Sequence, residues 1–343
     1  MGWRDTLLAI VAIASVIAIP TTAPAARRDR GSHLDPRELS PVPSYARAVE
    51  RAVIGIHVDV PPGRPSVATL GTDRWGSAVI FDGVAGYALT VSYVLLDAET
   101  VSATLRDGSR VSARLVGLDL EVGLGVIQLE GSGPWPAAAL GDSSKVAAGD
   151  IAGTIGVSPD GDLVATAGRV DAVRPFAATW EYMLDRAFEV SPYNTAFGGG
   201  AVVDATGTVV GIISLRLGEA PYTNLVIPVE KFLPTMDELC DKGRVVSRRP
   251  QPWLGLYTVA GDRRVIVAGL SPAGPARTAG VRAGDVIVLV NGEPVRTPQE
   301  FYTQLWLGDV NQDVQLLVQR DSALEIITVR PADRYRVYRT SDR

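Results

Sequence analysis

Short apolar runs separated by turns divide most of the chain, and this pattern restricts the folds that it can adopt. Between residues 45 and 236, runs rich in valine, isoleucine, leucine and threonine alternate with turns that contain glycine and aspartate. The clearest runs are residues 77–81, 101–105, 111–116 and 126–129. Residues 106–109 join two of these runs as a hairpin. The spacing predicts an all-β barrel or sandwich, and 35 glycines and 23 prolines agree with a turn-rich, mostly β protein.

Several segments of this region resemble, in the same order, the trypsin-like domain of the HtrA family of serine proteases. Residues 86–94 are similar to the strand that ends in the family's catalytic histidine, and residues 122–126 to the segment with its catalytic aspartate. Residues 140–143 match a turn of the family, and residues 194–201 are similar to the loop with its catalytic serine. The resemblance implies two six-stranded β-barrels within residues 45–240.

The residues at the three catalytic positions differ from those of the family. The resemblance places Tyr93 at the histidine, Gly123 at the aspartate and Gly198 at the serine. Acyl transfer needs a nucleophile, a base that takes its proton and a group that orients the base. Glycine has no side chain, and a phenol is a poor proton acceptor at neutral pH. We therefore expect a degenerate member of the family that lacks its catalytic triad, a pseudoprotease that is not an enzyme.

The alternative is an active serine endopeptidase of the HtrA type whose triad lies at other positions. Such an enzyme would need another base, and the chain has two histidines. His33 falls in a polar segment with several prolines. His57 falls in residues 53–58, which the pattern predicts as the first barrel strand, so it is expected to be a strand residue on a barrel face. The sequence therefore favours the pseudoprotease.

Residues 253–332 resemble a PDZ domain of the HtrA type. Their strongest motif is the stretch SPAGPARTAGVRAGD at residues 271–285, which is close to the family's S-P-A-x-x-A-G-[LI]-x-x-G-D signature. The resemblance implies an α+β domain that captures a peptide as an added strand. The C-terminal carboxylate of the peptide would then bind backbone N–H groups.

The same resemblance marks candidate peptide-binding residues on two elements. The six candidates are Trp253, Leu254, Gly255, Leu256, Phe301 and Leu305. The first four form the loop and strand that would receive the carboxylate, and the last two lie on a helix predicted over residues 297–307. Phe301 and Leu305 are also at the spacing of a buried helix face, so a groove wall and a core role are both open.

An apolar run near the amino terminus predicts export or membrane attachment. Residues 7–19 are apolar apart from one serine, and small residues follow. We expect residues 1–26 to form an apolar helix that is either a signal peptide or a membrane anchor. The arginines that follow would by themselves favour a cytoplasmic location. The family resemblance implies the periplasm or another extracytoplasmic space, and we favour it.

Composition marks the remaining segments and limits the partners. Residues 27–44 and 241–252 are predicted linkers, and residues 333–343 are a basic tail. The net charge of −5 gives no sign of a nucleic-acid surface, and a single cysteine, Cys240, excludes an intrachain disulfide. We expect no metal and no cofactor. The expected function is a membrane-associated protein-binding scaffold, either an accessory subunit of a membrane complex or an adaptor for exposed C-terminal peptides.

Overall fold

The computed structural model describes residues 42–340. The apolar helix predicted for residues 1–26 lies outside these residues, and so does most of the linker predicted for residues 27–44. Within the described range, no helix is long and apolar enough to cross a lipid bilayer.

Six antiparallel strands close a first barrel in the order β1-β2-β3-β6-β5-β4. These strands are β1 (Val53–Asp59), β2 (Asp73–Asp82), β3 (Tyr87–Val91), β4 (Thr100–Thr104), β5 (Arg110–Asp119) and β6 (Leu124–Leu129). The four apolar runs of the sequence fall on β2, β4, β5 and β6, and the hairpin at residues 106–109 joins β4 to β5. Both predictions are confirmed.

Six further strands close a second barrel in the order β10-β11-β12-β9-β8-β7. These strands are β7 (Ile151–Val157), β8 (Leu163–Ala177), β9 (Met183–Ser191), β10 (Ala201–Val203), β11 (Val209–Leu217) and β12 (Thr223–Pro228). The barrels approach closely where Gly55 of β1 faces Val157 of β7. A Cβ atom at Gly55 would lie 3.0 Å from Val157 Cγ1, so the absence of a side chain allows this approach.

A third sheet follows the barrels and has the order β13-β14-β15-β17-β18, with β16 paired to β15. Its strands are β13 (Leu256–Gly261), β14 (Arg264–Leu270), β15 (Val286–Val290), β16 (Glu293–Pro294), β17 (Val314–Arg320) and β18 (Ala323–Val329). Strand β13 lies at one edge of this sheet. The predicted architecture, a double six-stranded barrel followed by a smaller α+β domain, is confirmed.

Helices are short and few among the described residues. The α-helices are α1 (Val67–Leu70), α2 (Ser92–Leu95), α3 (Met236–Lys242), α4 (Pro275–Thr278), α5 (Pro298–Leu307) and α6 (Arg334–Val337). Four 3₁₀ turns cover Ser44–Ala46, Ser143–Lys145, Val229–Lys231 and Leu233–Thr235. The longest helix, α5, begins after Thr297, whose hydroxyl accepts a hydrogen bond from the Glu300 N–H at 3.1 Å.

Burial follows the alternation that a barrel wall requires. In β4, for example, Val101 and Ala103 are buried while their neighbours are more exposed. One continuous apolar core joins the two barrels, and a separate core fills the α+β domain around Phe301 and Leu305 of α5. The two units are therefore stabilised largely by their own cores, and polar contacts can act at the junction between them.

A buried arginine organises the first barrel next to its opening. Arg74 of β2 is 2% exposed, and its guanidinium group donates to four oxygen atoms. The acceptors, at 2.7–3.2 Å, are the backbone oxygens of Gly71, Tyr93 and Leu96 and the hydroxyl of Ser66. The guanidinium group thus joins β2, the loop before it and helix α2.

We expect Arg74→Met to lower the free energy of unfolding by roughly 3 kcal/mol, because one buried and three partly buried hydrogen bonds lose their donor. Urea unfolding of the full chain measures this change. Arg64→Met is the control: Arg64 lies in the same region but is exposed, so its replacement should stay within about 0.5 kcal/mol of wild type. A loss below about 1 kcal/mol for Arg74→Met would contradict this role.

Candidate functional site

The crevice between the barrels brings two of the three motif positions into contact. Tyr93 lies in α2, and Gly198 lies in the loop before β10. The Tyr93 hydroxyl donates to the backbone oxygen of Ser214 at 2.8 Å. A Cβ atom at Gly198 would lie 2.9 Å from this hydroxyl, which is closer than carbon and oxygen normally approach. The phenol therefore occupies the space that a side chain at position 198 would need.

The third position is close to another buried tyrosine. Gly123 lies in the turn between β5 and β6 with φ at +86°, and its backbone oxygen accepts from the Ser92 N–H at 2.9 Å. A Cβ atom here would lie 2.8 Å from the Tyr182 hydroxyl, which donates to the Val122 backbone oxygen at 2.7 Å. Both the backbone angle and Tyr182 thus favour glycine at position 123.

Both tyrosines remain protonated donors near neutral pH. Burial raises the pKa of Tyr93 and of Tyr182 above the ordinary value for a phenol. Each hydroxyl therefore acts as a hydrogen-bond donor to a backbone carbonyl.

The loop that contains Gly198 is fixed by backbone hydrogen bonds. The Gly198 oxygen accepts from the Ser77 N–H at 2.7 Å, and the Gly199 N–H donates to the Ile213 oxygen at 2.8 Å. Gly199 has φ at +93°, and a Cβ atom there would lie 1.9 Å from the Ser77 oxygen. The Gly200 N–H donates to the Phe197 oxygen at 2.9 Å. Two of the loop's N–H groups are thus already engaged within the protein.

Residues 42–340 contain one histidine, His57. It lies on β1, away from this crevice. Its Nε2 atom is 2.6 Å from an oxygen of Asp73, and its ring stacks on Trp75 with ring centroids 4.1 Å apart. Asp59 brings a second carboxylate to within 3.8 Å of the same nitrogen. His57 and Asp59 lie on β1 and Asp73 lies on β2, so these surface groups are explained by polar side-chain contacts within and between the two strands.

A cavity of about 410 Å³ opens between the barrels and the α+β domain. Eight aromatic residues line it: Trp75, Tyr93, Trp180, Tyr182, Phe197, Trp253, Tyr257 and Tyr338. The guanidinium groups of Arg74, Arg216 and Arg334 also line it. Apolar walls with a few fixed polar groups are typical of ligand-binding sites.

The six predicted peptide-binding residues lie together at one end of the α+β domain and are covered. Leu254, Leu256, Phe301 and Leu305 are at most 1% exposed, and Trp253 is 6% exposed. Phe301 and Leu305 belong to the core of the domain. Gly255 has φ at +77° and turns the chain so that the N–H groups of its two neighbours point to one spot. Whether these residues bind a peptide stays a prediction.

That spot is filled by Glu181, a residue that our sequence reasoning missed. Glu181 lies between β8 and β9 and is 1% exposed. One carboxylate oxygen accepts from the Leu256 N–H at 2.8 Å, and the other accepts from the Leu254 N–H at 2.9 Å. Burial raises the pKa of Glu181 to about 7, although these N–H groups, that of Gly255 and the charge of Arg334 favour the ionised form.

The described part of the predicted basic tail packs against both units. An Arg334 guanidinium nitrogen donates to the Glu181 backbone oxygen at 3.1 Å. The Tyr335 hydroxyl donates to Glu121 at 2.7 Å, and the Arg339 N–H donates to Asp97 at 2.7 Å. Residues 333–340 therefore close one side of the junction between the units.

The comparisons with known proteins identify two domains in the chain. The family model of the trypsin-like peptidase domain matches residues 76–212, and that of the PDZ domain matches residues 252–330. Serine protease Do-like HtrB of Bacillus subtilis is 30% identical over 266 residues, which cover 68% of this chain and 57% of the relative. The periplasmic pH-dependent serine endoprotease DegQ of Escherichia coli is 26% identical over 271 residues, which cover 73% of this chain and 58% of the relative.

A solved structure agrees with these relatives. The structure titled HtrA-type protease AlgW with decapeptide is 25% identical in sequence, with a TM-score of 0.52. The match covers 84% of this chain and 98% of the other. The chain spans somewhat more than half of the length of the two curated relatives.

These findings correct one prediction. The expectation that the chain is not an enzyme is contradicted, because its relatives and structural neighbours are named serine proteases, which points to an enzyme. That expectation was inferred from the residues at three motif positions alone. The assignment of Tyr93, Gly123 and Gly198 to the catalytic positions of the family is a separate statement and stays a prediction.

We expect Gly198→Ser to lower the free energy of unfolding by about 1–3 kcal/mol, because its Cβ atom meets the hydrogen-bonded Tyr93 hydroxyl. Tyr93→His in the same chain shortens the opposing side chain and should recover most of this loss. Urea unfolding of the wild type, both single variants and the double variant gives the coupling energy. Additive effects would show that residues 93 and 198 do not share this space.

The buried Glu181 carboxyl group predicts a pH-dependent stability. Its pKa is about 7 in the folded chain against an ordinary value of 4.5, so the folded state holds this proton more tightly. The stabilisation that the protonated Glu181 side chain gives to the folded state is fully present below pH 4.5 and is lost as the pH rises through about 7. The free energy of unfolding should therefore fall over this window, by at most roughly 3 kcal/mol.

Thermal or urea unfolding between pH 4.5 and 7.5 measures this slope, and Glu181→Gln should flatten it. Asp185→Asn is the matched control, since Asp185 is an exposed carboxylate four residues away whose pKa is lowered by Lys231. A slope that is the same in wild type and Glu181→Gln would show that another group titrates.

Proposed function

This chain belongs to the HtrA-like family, with a trypsin-like peptidase domain followed by a PDZ domain, and on that premise we propose that it binds extended polypeptide segments in the cavity between the two units. The location is extracytoplasmic, in keeping with the relative that is named periplasmic. Residues 1–26 attach the protein to a membrane, where its partners are subunits of a membrane complex or proteins with exposed termini.

The observation that carries this proposal is the aromatic cavity. A volume of about 410 Å³ suits a few side chains of an extended polypeptide, and the aromatic walls offer large apolar surfaces. Backbone carbonyls and the guanidinium groups of Arg216 and Arg334 give a bound chain polar partners beside them. The neighbour titled with a decapeptide supports polypeptide binding on this fold.

The names of the relatives make peptide-bond hydrolysis the reaction to examine. Position 198 offers no nucleophilic side chain, so an acylated serine would lie elsewhere in the cavity. Ser92 and Ser214 both line it. A fluorophosphonate probe followed by mass-spectrometric mapping identifies such a serine, and an adduct on either residue would support the endopeptidase with a triad outside the three motif positions.

We expect Leu70→Arg to weaken binding of a fluorescein-labelled apolar peptide at least tenfold, because the charge would be buried on an apolar wall of the cavity. The peptide is amidated at its C-terminus so that it cannot offer a terminal carboxylate to the PDZ domain. Fluorescence anisotropy gives the Kd. Val84→Arg is the control, since Val84 is 92% exposed and does not line the cavity. Equal affinities for wild type and Leu70→Arg would refute binding in this cavity.

A further inference from the structure

A segment of the second barrel lies along the edge strand of the PDZ domain. The Thr258 N–H in β13 donates to the Thr179 backbone oxygen at 2.5 Å, and Trp180 pairs with Tyr257 in antiparallel register. The Tyr302 hydroxyl of α5 donates to the Ala178 backbone oxygen at 2.9 Å. Residues 178–180 thus extend the sheet by one short strand, next to α5. An added strand of this kind is how PDZ domains hold a peptide.

The carboxylate at the end of this segment is bound by the loop before β13. Glu181 accepts hydrogen bonds from the N–H groups of Leu254 and Leu256, at 2.9 and 2.8 Å. The turn at Gly255 holds these groups in place, and it is packed so tightly that a Cβ atom there would lie 2.4 Å from the Gly274 Cα atom. A side-chain carboxylate and a C-terminal carboxylate offer the same two acceptor oxygens. The loop therefore has room for one of them at a time.

From this arrangement we propose that residues 177–181 are an internal ligand of the PDZ domain, and that a polypeptide with a free C-terminal carboxylate binds only by displacing Glu181. The segment supplies both parts of such a ligand, the added strand and the carboxylate. The occupant is covalently attached, so its high effective concentration sets the affinity that an external chain must exceed. This inference rests on the contacts of residues 177–181 and does not require that the aromatic cavity bind a ligand, although Trp253, Gly255 and Leu256 also line that cavity.

Residues around the segment make further contacts that fix its position. Ala177, the first residue of the segment, and Met183, two residues after its end, pack against the core of the PDZ domain. Arg334 donates to the Glu181 backbone oxygen at 3.1 Å from the opposite side. The Thr258 hydroxyl lies 2.9 Å from the Tyr302 hydroxyl, which itself bonds to the segment. The segment is therefore fixed by β13, α5 and the C-terminal residues together.

The experiment compares full-length wild type, Glu181→Ala and Asp185→Ala. The probe is a fluorescein-labelled pool of randomised decapeptides that end in valine, leucine or phenylalanine with a free carboxylate, since Leu256 and Phe301 provide apolar surroundings. We expect Glu181→Ala to bind this pool at least tenfold more tightly than wild type. Asp185→Ala removes an exposed carboxylate of the same hairpin and should bind as wild type does. An amidated pool should show no gain with Glu181→Ala.

Hydrogen exchange of the wild type gives a second measurement that does not depend on the folding of a variant. A saturating concentration of the free-carboxylate pool should raise exchange in residues 177–183, and the amidated pool, which cannot replace the Glu181 carboxylate, should not raise it.

The proposal is overturned if folded Glu181→Ala gains no affinity, if it gains equally for both pools, or if the wild type binds the free-carboxylate pool without any change in exchange. Loss of the amidated apolar peptide in Leu70→Arg tests the cavity, whereas a gain with Glu181→Ala that requires a free carboxylate tests the groove. Failure of one proposal is therefore recognisable without the other.

Discussion

The contact between Glu181 and the N–H groups of Leu254 and Leu256 holds the barrels and the PDZ domain in one arrangement. A carboxylate with 1% exposure is costly to bury, and it persists only because its oxygens are hydrogen-bonded. The pairing of residues 178–180 with β13 and the contact from Arg334 lie directly beside this carboxylate. Removal of the carboxylate would leave two buried N–H groups unpaired. Arrangements of the two units that separate Glu181 from these N–H groups are therefore disfavoured.

The crevice between the barrels is shaped by two pairs of large and small residues. Tyr93 faces Gly198, and Tyr182 faces Gly123, with each hydroxyl bonded to a backbone carbonyl. A protein interior is close-packed, so a tyrosine requires a small residue opposite it. Substitution of either residue alone is therefore expected to lower the stability of the fold. The family to which the chain belongs is one of serine proteases, and any such chemistry in this chain must act around these two phenols.

The sequence predicted the strands and the domain types well, because strand period, turn residues and the PDZ motif are local signals. Through the family resemblance it singled out Tyr93 and Gly198, but it did not predict that the phenol fills the space opposite Gly198. It did not predict Glu181, since the residues that bind this carboxylate lie more than seventy positions later. Phe301 and Leu305 show the same limit: their spacing fits a core and a groove wall, and only packing shows that both are buried. Contacts between units depend on tertiary structure, which periodicity does not report.

Residues 180–182 contribute to both the cavity and the PDZ groove. Trp180 and Tyr182 line the cavity, and their rings stack with centroids 6.2 Å apart, while Glu181 between them points to the groove. A ligand that moves Glu181 therefore acts on the backbone that carries two residues of the cavity wall. The shared segment gives a route by which binding at one site can act on the other, and any such coupling is equal in both directions. A ligand that displaces Glu181 would change the cavity that Tyr182 and Gly123 now shape, even though it never enters that cavity.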